Sequence, residues 1–296
     1  MALAAATDLS FAQRERFRFV ESTLLWEGGI QRARVSEVFG VARNHVTKDL
    51  RDYETSYPKS LVFEPRQRIY VPGPRFKPRF ASDDPAEYLA LQLAYAESES
   101  AAVLPLLAGG PVPTVAVPMP DHGISKAVLQ ALVQAIRQHR GVELLYHSMR
   151  ADQPSRRTLW PHALVHTGVR WQVRALDERS KEFRNFVLQR MERPTLLASI
   201  NALASKDDAD WHTSLTLEVV PHPALNPHQQ QVVAREFGMR TSKHGPVWSV
   251  HLRRCLVGYF AQRYGLDLPN ARPPKQVVVL RDPSVARPWF LPSNMR

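Results

Sequence analysis

The chain has 296 residues, a formal net charge of +11 and an isoelectric point of about 10.1. Hydrophobic residues make up 44% of it, which argues against a disordered protein and allows two or three domains with real cores. The single cysteine, Cys255, excludes an internal disulfide framework and a cysteine metal cluster. The positive charge favours a polyanionic partner, although a basic surface kept for solubility has the same composition.

Three further classes of protein are disfavoured by the sequence. The apolar runs fall short of the roughly 18 residues that a membrane span needs, and the start lacks the pattern of a secretory signal, so we expect a cytoplasmic protein without membrane partners. The scattered histidines lack metal-ligand spacing, which predicts no metal and no cofactor. Cys255 lies in an apolar helical pattern and is expected to be a buried structural thiol.

Residues 9–71 predict three helices followed by a hairpin. Before Gly40, a short helix carries apolar residues on one side, namely Val35, Val38 and Phe39. Gly40 permits the backbone conformation of a tight turn between helices. The helix after it repeats apolar residues at i, i+4 and i+7, which are Val46, Leu50 and Tyr53.

The opposite face of this second helix is polar and basic. It carries Arg43, Asn44, His45, Thr47, Lys48 and Arg51. Arginine can form paired hydrogen bonds with guanine and asparagine with adenine, and the first turn of such a helix usually meets base edges. Lys48 and Arg51 lie further along and suit phosphates. Arg34, at the start of the motif, is included among the expected DNA contacts.

The segment 61–71 alternates in polarity around a turn, and Arg66 and Arg68 lie near its tip. This predicts a basic hairpin that touches the DNA backbone or minor groove. A plain three-helix bundle with a solvated charged face is the alternative. The combination of basic helix, basic hairpin and net charge favours DNA binding, and the pattern resembles the winged helix-turn-helix of many bacterial regulators.

The rest of the chain alternates between breaks and regular patterns. Three prolines within residues 72–80 predict a linker, and a helix is expected over 83–107 with Asp83 or Asp84 as its cap. A second proline-rich break follows at 109–120, then an amphipathic helix at 123–140. Strands are predicted at 142–148, 157–165, 170–176 and 183–191.

Several short strands within so few residues predict a small barrel or a strongly bent sheet. Val173, Ala175 and Trp171 are expected in its core. Residues 199–210 are small and polar and are predicted to be a linker, in which the aspartates Asp207, Asp208 and Asp210 form solvated charge. The remainder mixes strands at 214–220, 247–251 and 276–281 with helices, which predicts a compact α+β module.

The strand region resembles the WYL domain, a small Sm-like barrel of bacterial regulators. Trp171-Gln172-Val173 stands where the family has Trp-Tyr-Leu, so a glutamine replaces the tyrosine. The segment 186–191 is similar to the closing motif of the family. In this family, basic and polar residues of the region are thought to bind a ligand. The resemblance gives these candidates by position: Tyr146, Ser148, Arg157, His162, Arg170, Gln172, Arg174 and Arg190.

The residues themselves agree with a sensor of anions. Period two places Arg170, Gln172 and Arg174 on one face of a strand. Cationic groups beside aromatic rings on neighbouring strands favour a nucleotide or oligonucleotide effector. Solvated arginines on an exposed strand face are the alternative.

The segments 221–229 and 250–264 resemble the C-terminal extension that accompanies WYL domains. The whole layout is similar to the WYL repressors that control phage-defence islands in bacteria, in which the extension supports a homodimer on an inverted-repeat operator. The resemblance therefore implies an α+β multidomain protein with a winged helix-turn-helix (1–80), a helical linker region (81–122), a WYL domain (123–200) and a C-terminal dimerisation extension (211–296).

Other functions are kept as alternatives. An RNA-binding or single-strand-binding protein is one, since Sm-like barrels can bind RNA, and a nuclease with an unrecognised site is another. Motifs of hydrolases and phosphate-binding glycine loops are missing from the sequence, so we expect no enzyme. Whether the regulator activates or represses is open from the residues, and the resemblance favours a repressor acting on a duplex DNA operator.

Overall fold

The computed structural model describes residues 9–97, 112–117, 123–200, 205–268 and 270–291. It divides into two compact units, Met1–Pro118 and Met119–Arg296. In the described residues, no helix is both long and apolar enough to cross a bilayer.

The first unit is a three-helix domain with a hairpin, as predicted. The helices are α1 (Phe11–Glu27), α2 (Arg32–Phe39) and α3 (Arg43–Ser56), and the hairpin pairs β1 (Leu61–Glu64) with β2 (Ile69–Pro72). One face of each helix enters a common core that includes Phe17, Phe19, Leu24, Val35, Val46, Leu50 and Tyr53. Burial of this apolar surface is what holds the three short helices together.

The turn between α2 and α3 has the geometry expected from the sequence. Gly40 has φ 61° and ψ 27°, a left-handed conformation that costs glycine little because it lacks a Cβ. The next residue, Val41, donates its backbone N–H to the carbonyl of Ser36 at 3.1 Å. This turn determines how α3 projects from the domain.

The predicted helix after the proline-rich linker is present as α4 (Pro85–Glu97). Asp84 caps it, since its carboxylate accepts the backbone N–H of Ala86 at 2.9 Å. The predicted continuation to residue 107 lies outside the described residues. Residues 112–117, which are described, contain neither helix nor strand, in agreement with the predicted break.

The second unit begins with α5 (Lys126–Gln138), which packs on an antiparallel five-stranded sheet. The order of the strands is β6-β5-β4-β3-β7. Their bounds are β3 (Arg140–Tyr146), β4 (Ser155–His166), β5 (Trp171–Asp177), β6 (Glu182–Val187) and β7 (Met191–Ile200). Val128, Leu132 and Ala135 of the amphipathic helix are fully buried against Val142, Leu159 and Val173 of the sheet.

The sheet differs from the prediction in three ways. The predicted strand 183–191 is split by a 3₁₀ turn at Leu188–Arg190, after which β7 returns to pair with β3, and this fifth strand was not predicted. The outer strands β6 and β7 do not pair in the described residues, so a closed barrel is not confirmed. Trp171 was wrongly assigned to the core, because the side chain at the start of β5 is 38% exposed.

The C-terminal part of the second unit is the α+β module that was predicted. A four-stranded sheet has the order β11-β8-β10-β9, with strands β8 (Ser214–Pro221), β9 (Arg240–Ser242), β10 (Gly245–Arg253) and β11 (Val278–Leu280). Its helices are α6 (Ala209–His212), α7 (Pro227–Glu236) and α8 (Val257–Arg263). Leu217, Val219, Val233, Val257 and Val278 form its core.

Candidate functional site

The outer face of α3 is basic and open to solvent. Arg43, Asn44, Lys48 and Arg51 are exposed, whereas Val46, Leu50 and Tyr53 on the other side of the same helix are buried. The helical period of 3.6 residues therefore separates an apolar anchoring face from a polar one, as the sequence predicted. A helix with this surface has the diameter and the hydrogen-bonding groups to enter the major groove of DNA.

Three other predicted DNA contacts already have partners within the protein. Both terminal nitrogens of Arg34 donate to the carboxylate of Glu27, at 2.8 and 2.9 Å. The Nε2 atom of His45 lies 2.9 Å from Nη2 of Arg16, and the Thr47 hydroxyl donates to the carbonyl one helical turn earlier. These contacts within the protein orient the three side chains.

A buried ion pair beneath α3 was missed by the sequence analysis. Asp49 accepts hydrogen bonds from Nε of Arg16 at 2.6 Å and from the amide of Gln13 at 3.0 Å, and the side chains of the ion pair are each 7% exposed. The contacts tie the start of α1 to the middle of α3. A signal for it exists in the sequence, because Asp49 falls in the apolar phase of the helix beside Leu50.

The predicted wing is the hairpin of β1 and β2. Arg66 and Arg68 are exposed in its turn, and Arg68 has φ 55°. The base of the hairpin is held to the helices by two backbone hydrogen bonds between Ile30 and Tyr70, at 2.8 and 2.9 Å. The hairpin and α3 thus belong to one packed domain and present basic side chains from both elements.

Glu21 of α1 anchors the segment that leaves the hairpin. Its side chain is fully buried, accepts the Tyr53 hydroxyl at 2.6 Å, and accepts the backbone N–H groups of Arg79, Phe80 and Ala81 at 2.6–3.0 Å. Burial and the bond to this carboxylate raise the pKa of Tyr53 well above its ordinary value. The sequence analysis did not identify this anchor.

In the second unit, the central polar feature is a cluster around Asp208. Nε and Nη2 of Arg174 donate to the two carboxylate oxygens at 2.7 and 2.8 Å, and Nε2 of His162 lies 2.9 Å from the same group. Asp208 is 1% exposed. The prediction of a solvated aspartate in a polar linker was therefore wrong, since two distant strands provide partners that local sequence does not reveal.

A bulge in the sheet brings His162 into this cluster. Pro161 pairs with Ala175 and Ala163 with Arg174, so that His162 is the extra residue of β4. An extra residue shifts the alternation of side chains and re-aims the bulged one. The ring of His162 consequently reaches Asp208 and packs edge-on against Trp211 at a centroid distance of 5.2 Å.

Electrostatics within the cluster favour an ionised carboxylate and a neutral imidazole. Burial opposes ionisation of Asp208, but its hydrogen bonds with Arg174 and His162 outweigh burial and lower its pKa. Burial lowers the pKa of His162, partly opposed by Asp208. The closest charged contact in this site is thus the forked pair of Arg174 and Asp208, a strong type of hydrogen bond, and a second carboxylate, Asp210, lies 3.8 Å from Nη2 of the same arginine.

Two amide side chains, one buried and one half-buried, lie on the same face of the sheet. Gln172 is two residues from Arg174 on β5, and Asn185 is opposite Arg174 on β6, so all three side chains point the same way. Both amides contact the Tyr259 hydroxyl of α8. In the described residues, Oε1 of Gln172 and Oδ1 of Asn185 are buried without a hydrogen-bond partner. Buried amide oxygens normally accept a hydrogen bond, so these two atoms could accept one from a ligand that carries donors.

The remaining predicted ligand residues are dispersed. Tyr146 is in the core beneath the sheet, with its hydroxyl accepting the backbone N–H of Val187 at 3.3 Å. Arg157 donates to the buried Asp177 at 2.5 Å. Arg170 is exposed beside Trp171, whereas Ser148 and Arg190 are half-buried. Of the eight candidates, the structure brings together His162, Gln172 and Arg174.

The cluster is joined to the C-terminal module through the segment that carries Asp208. Two residues later, Asp210 accepts from Arg254 at 2.6 Å, and Trp211 lies 4.2 Å beneath the guanidinium of Arg253. Cys255, which was expected to be buried, is half-buried near the cluster, and burial raises the pKa of its thiol. A movement of Asp208 would therefore disturb contacts that lead directly into β8 and β10.

Three domain families match the chain in succession. The winged helix-turn-helix domain of the BrxR transcriptional regulator matches residues 12–94, the WYL domain matches residues 127–196, and the C-terminal dimerization domain of the BrxR transcriptional regulator matches residues 214–285. Together they cover the basic helix, the sheet with the Asp208 partners, and the α+β module.

Curated relatives match most of the chain. The DNA-binding transcriptional repressor CapW of Pseudomonas aeruginosa is 29% identical over 91% of this chain and 88% of its own length. The same repressor from Stenotrophomonas maltophilia is 28% identical over 98% and 96%. The one from Escherichia coli (strain KTE188) is 30% identical over 77% and 76%.

A solved structure, the proteasome accessory factor PafBC of Arthrobacter aurescens, matches 94% of this chain and 47% of its own, at 16% identity and a TM-score of 0.27, too low to support a statement about the fold. The three domain matches follow one another along the chain, and the relatives match between 77% and 98% of it. The chain belongs to the family of DNA-binding transcriptional repressors that combine a BrxR winged helix-turn-helix domain, a WYL domain and a BrxR C-terminal dimerization domain.

Proposed function

We propose that this repressor binds an inverted-repeat DNA operator as a homodimer and that an anionic, nucleotide-like effector at the WYL domain controls its affinity for the operator. The observation that carries the proposal is the exposed basic face of α3 on a packed winged helix domain. By the family resemblance, its target genes belong to phage-defence systems.

The DNA-contacting roles follow from position on the helix. Arg43 and Asn44 occupy the first turn of α3 and have the side chains for paired hydrogen bonds with guanine and adenine. Lys48 and Arg51 lie further along and neutralise phosphates, together with Arg66 and Arg68 of the hairpin. Arg34, His45 and Thr47 flank this surface and contribute through side chains already oriented by internal contacts.

The dimer follows from the C-terminal dimerization domain. Two winged helices related by two-fold symmetry meet two half-sites about one turn of DNA apart, which requires an inverted repeat. One winged helix alone buries a limited surface, so the second half-site supplies much of the affinity and specificity.

Effector control is proposed from the polar face of the sheet. The face carries the forked guanidinium of Arg174, the imidazole of His162 and two amides with orphaned oxygens. A guanidinium and an imidazole suit phosphate oxygens, and the free amide oxygens suit hydroxyl or amino donors. Arg170 and the half-exposed Trp171 at the start of β5 add a cation and an aromatic surface nearby in sequence.

The test of operator binding is a footprint on the protein's own promoter, followed by gel retardation. Arg43→Ala should weaken specific binding by about 1–3 kcal/mol while binding to unrelated duplex changes little. Arg137→Ala, which removes an exposed arginine of α5, is the matched control and should bind as the wild type does. Equal operator affinity for Arg43→Ala and wild type would remove Arg43 from the base-contacting residues.

The same assay separates the alternative function. A duplex operator, a scrambled duplex and a single strand of the operator are compared at equal salt. Preference for the single strand, or for RNA of the same sequence, would contradict the proposal and favour a single-strand-binding protein.

A further inference from the structure

The Asp208 carboxylate occupies its site in the manner of a bound anion. It receives the fork of Arg174 on both oxygens and the imidazole of His162 on one of them, and it is almost completely buried. Its partners come from β4 and β5 of the sheet, 46 and 34 residues away in the chain. Asp208 itself comes from the segment between β7 and β8, outside the sheet.

We propose that Asp208 is an internal occupant of an anion-binding site, and that a phosphorylated effector binds by displacing the Asp208 segment from Arg174 and His162. The inference rests on the proposed effector control and specifies how that control operates. The ligand class is a phosphate ester that also carries hydroxyl or amino donors, such as a nucleotide.

The two sides of the contact differ in how firmly they are held. Arg174 and His162 belong to paired strands, with His162 aimed by the bulge in β4. Asp208 is the N-cap of α6, a helix of four residues, and lies in a segment outside both sheets. Moving this segment disrupts one helical turn and a few side-chain contacts, whereas moving the cations would disrupt the sheet. The aspartate is therefore the movable partner.

Exchange of the carboxylate for a phosphate keeps the buried cation paired throughout. A phosphate group offers three acceptor oxygens and more negative charge than a carboxylate, so it can take the fork of Arg174 and the imidazole together. Released Asp208 is solvated, which suits an ionised carboxylate. The orphaned oxygens of Gln172 and Asn185, on the same face, would receive donors from the sugar or base of the effector.

The displaced segment leads into the dimerization domain. Asp210 pairs with Arg254, and the ring of Trp211 packs beneath Arg253 and edge-on against His162. The carbonyl of Thr213 accepts the backbone N–H of Arg254 at 2.8 Å. Residues 214–221 follow as β8, the strand between β11 and β10. Displacement of Asp208 removes the anchor of this whole segment, so the site and the dimerization domain are physically linked, which coupling requires.

The direct test uses the full-length protein with Asp208→Asn, and Asp207→Asn as the matched control, because Asp207 is exposed and adjacent. Binding of adenosine monophosphate and of inorganic phosphate is measured by calorimetry, with adenosine as the uncharged comparison. In the wild type, only the fraction of molecules in which Asp208 has left Arg174 can bind a phosphate, which weakens the apparent affinity. Asp208→Asn should therefore bind the phosphate probes at least about ten-fold more tightly than wild type. The gain should vanish when Arg174→Gln is added.

Equal affinity of Asp208→Asn, Asp207→Asn and wild type for the phosphate probes would overturn the inference. If Asp208→Asn fails to fold, hydrogen exchange of the wild-type protein decides. Saturating adenosine monophosphate should increase exchange in residues 205–213 and leave β4 and β5 protected. Unchanged protection of 205–213 in the bound protein would also overturn the inference.

Operator binding of the same variants distinguishes a failure of the displacement hypothesis from a failure of the proposed repressor function. Asp208→Asn without effector should shift the operator Kd in the same direction as adenosine monophosphate shifts that of the wild type. If the wild type binds operator but Asp208→Asn and the phosphate probes leave the Kd unchanged, the displacement is wrong and the repressor assignment stands. If no promoter duplex binds wild type, the operator proposal fails irrespective of the phosphate result.

Discussion

Replacing Glu21 removes one acceptor group that serves four donors inside the winged helix domain. In Glu21→Leu, the buried Tyr53 hydroxyl and the partly buried backbone N–H groups of Arg79, Phe80 and Ala81 lose their partner. An unsatisfied buried donor costs about 1–3 kcal/mol, so the loss in the free energy of unfolding should reach about 4 kcal/mol or more. That is a large part of the stability of a typical domain, about 5–15 kcal/mol.

Glu21→Gln should be much milder. Its carbonyl oxygen can accept the three backbone N–H groups, and its amide can donate to the phenol oxygen of Tyr53, so that the losses are the charge of the acceptor and the acceptor of the Tyr53 hydroxyl proton. Charge-assisted hydrogen bonds are roughly twice as strong as neutral ones, which gives a cost of about 1–2 kcal/mol. The graded order wild type, Gln, Leu is the signature of the hydrogen bonds, because both replacements remove the charge.

Hydrogen exchange of the amides of residues 79–81 measures the anchor locally, and urea unfolding measures the domain. Glu37→Gln, at an exposed position of α2, is the control and should leave both unchanged. A Leu variant that loses less than about 1 kcal/mol, with normal protection at residues 80 and 81, would refute the assignment of Glu21 as the anchor.

Two further predictions address the two candidate sites. Lys48→Ala should weaken binding to operator and unrelated duplex alike and reduce the slope of log K against log salt by about 1, and an unchanged slope would remove Lys48 from the phosphate contacts. His162→Gln should change the pH dependence of stability. Burial lowers the pKa of His162 in the folded protein, with Arg174 and His212 acting in the same direction and Asp208 opposing them. The unfolded chain therefore takes up a proton, near its ordinary pKa of about 6.5, that the folded one does not. The free energy of unfolding of the wild type, measured by urea titration, should then fall relative to that of His162→Gln as the pH drops from about 7.5 to about 5. A difference between the two proteins that stays constant over this pH range would contradict the prediction.

Features set by short-range pattern were predictable. The phase of Val46, Leu50 and Tyr53 determined which face of α3 packs, and so which face presents Arg43 and Lys48 to solvent. The position of Gly40 predicted the turn, and period two predicted most strands of both sheets, because each depends on only a few consecutive residues. The order of the three domains was predicted because the helix-turn-helix pattern, the WYL-like motifs and the C-terminal segments follow one another along the chain.

Features that join distant segments were not predictable in this way. The pairing of Arg34 with Glu27 was not predicted, and β7 was missed because its pairing with β3 spans about fifty residues of chain. The bulge at His162 shifts a side chain from the face that strict alternation assigns, and only the pairing of β4 with β5 reveals it.

By itself, the sequence determined the winged helix, the basic face of α3 and the family, since amphipathic period, turn residues and motif order are local properties of the chain. The tertiary structure alone decided that Asp208 is a buried partner of Arg174 and that Glu21 anchors the linker. The physical reason is that an ionised group becomes tolerable inside a protein only when folding brings donors to it, and those donors lie tens of residues away.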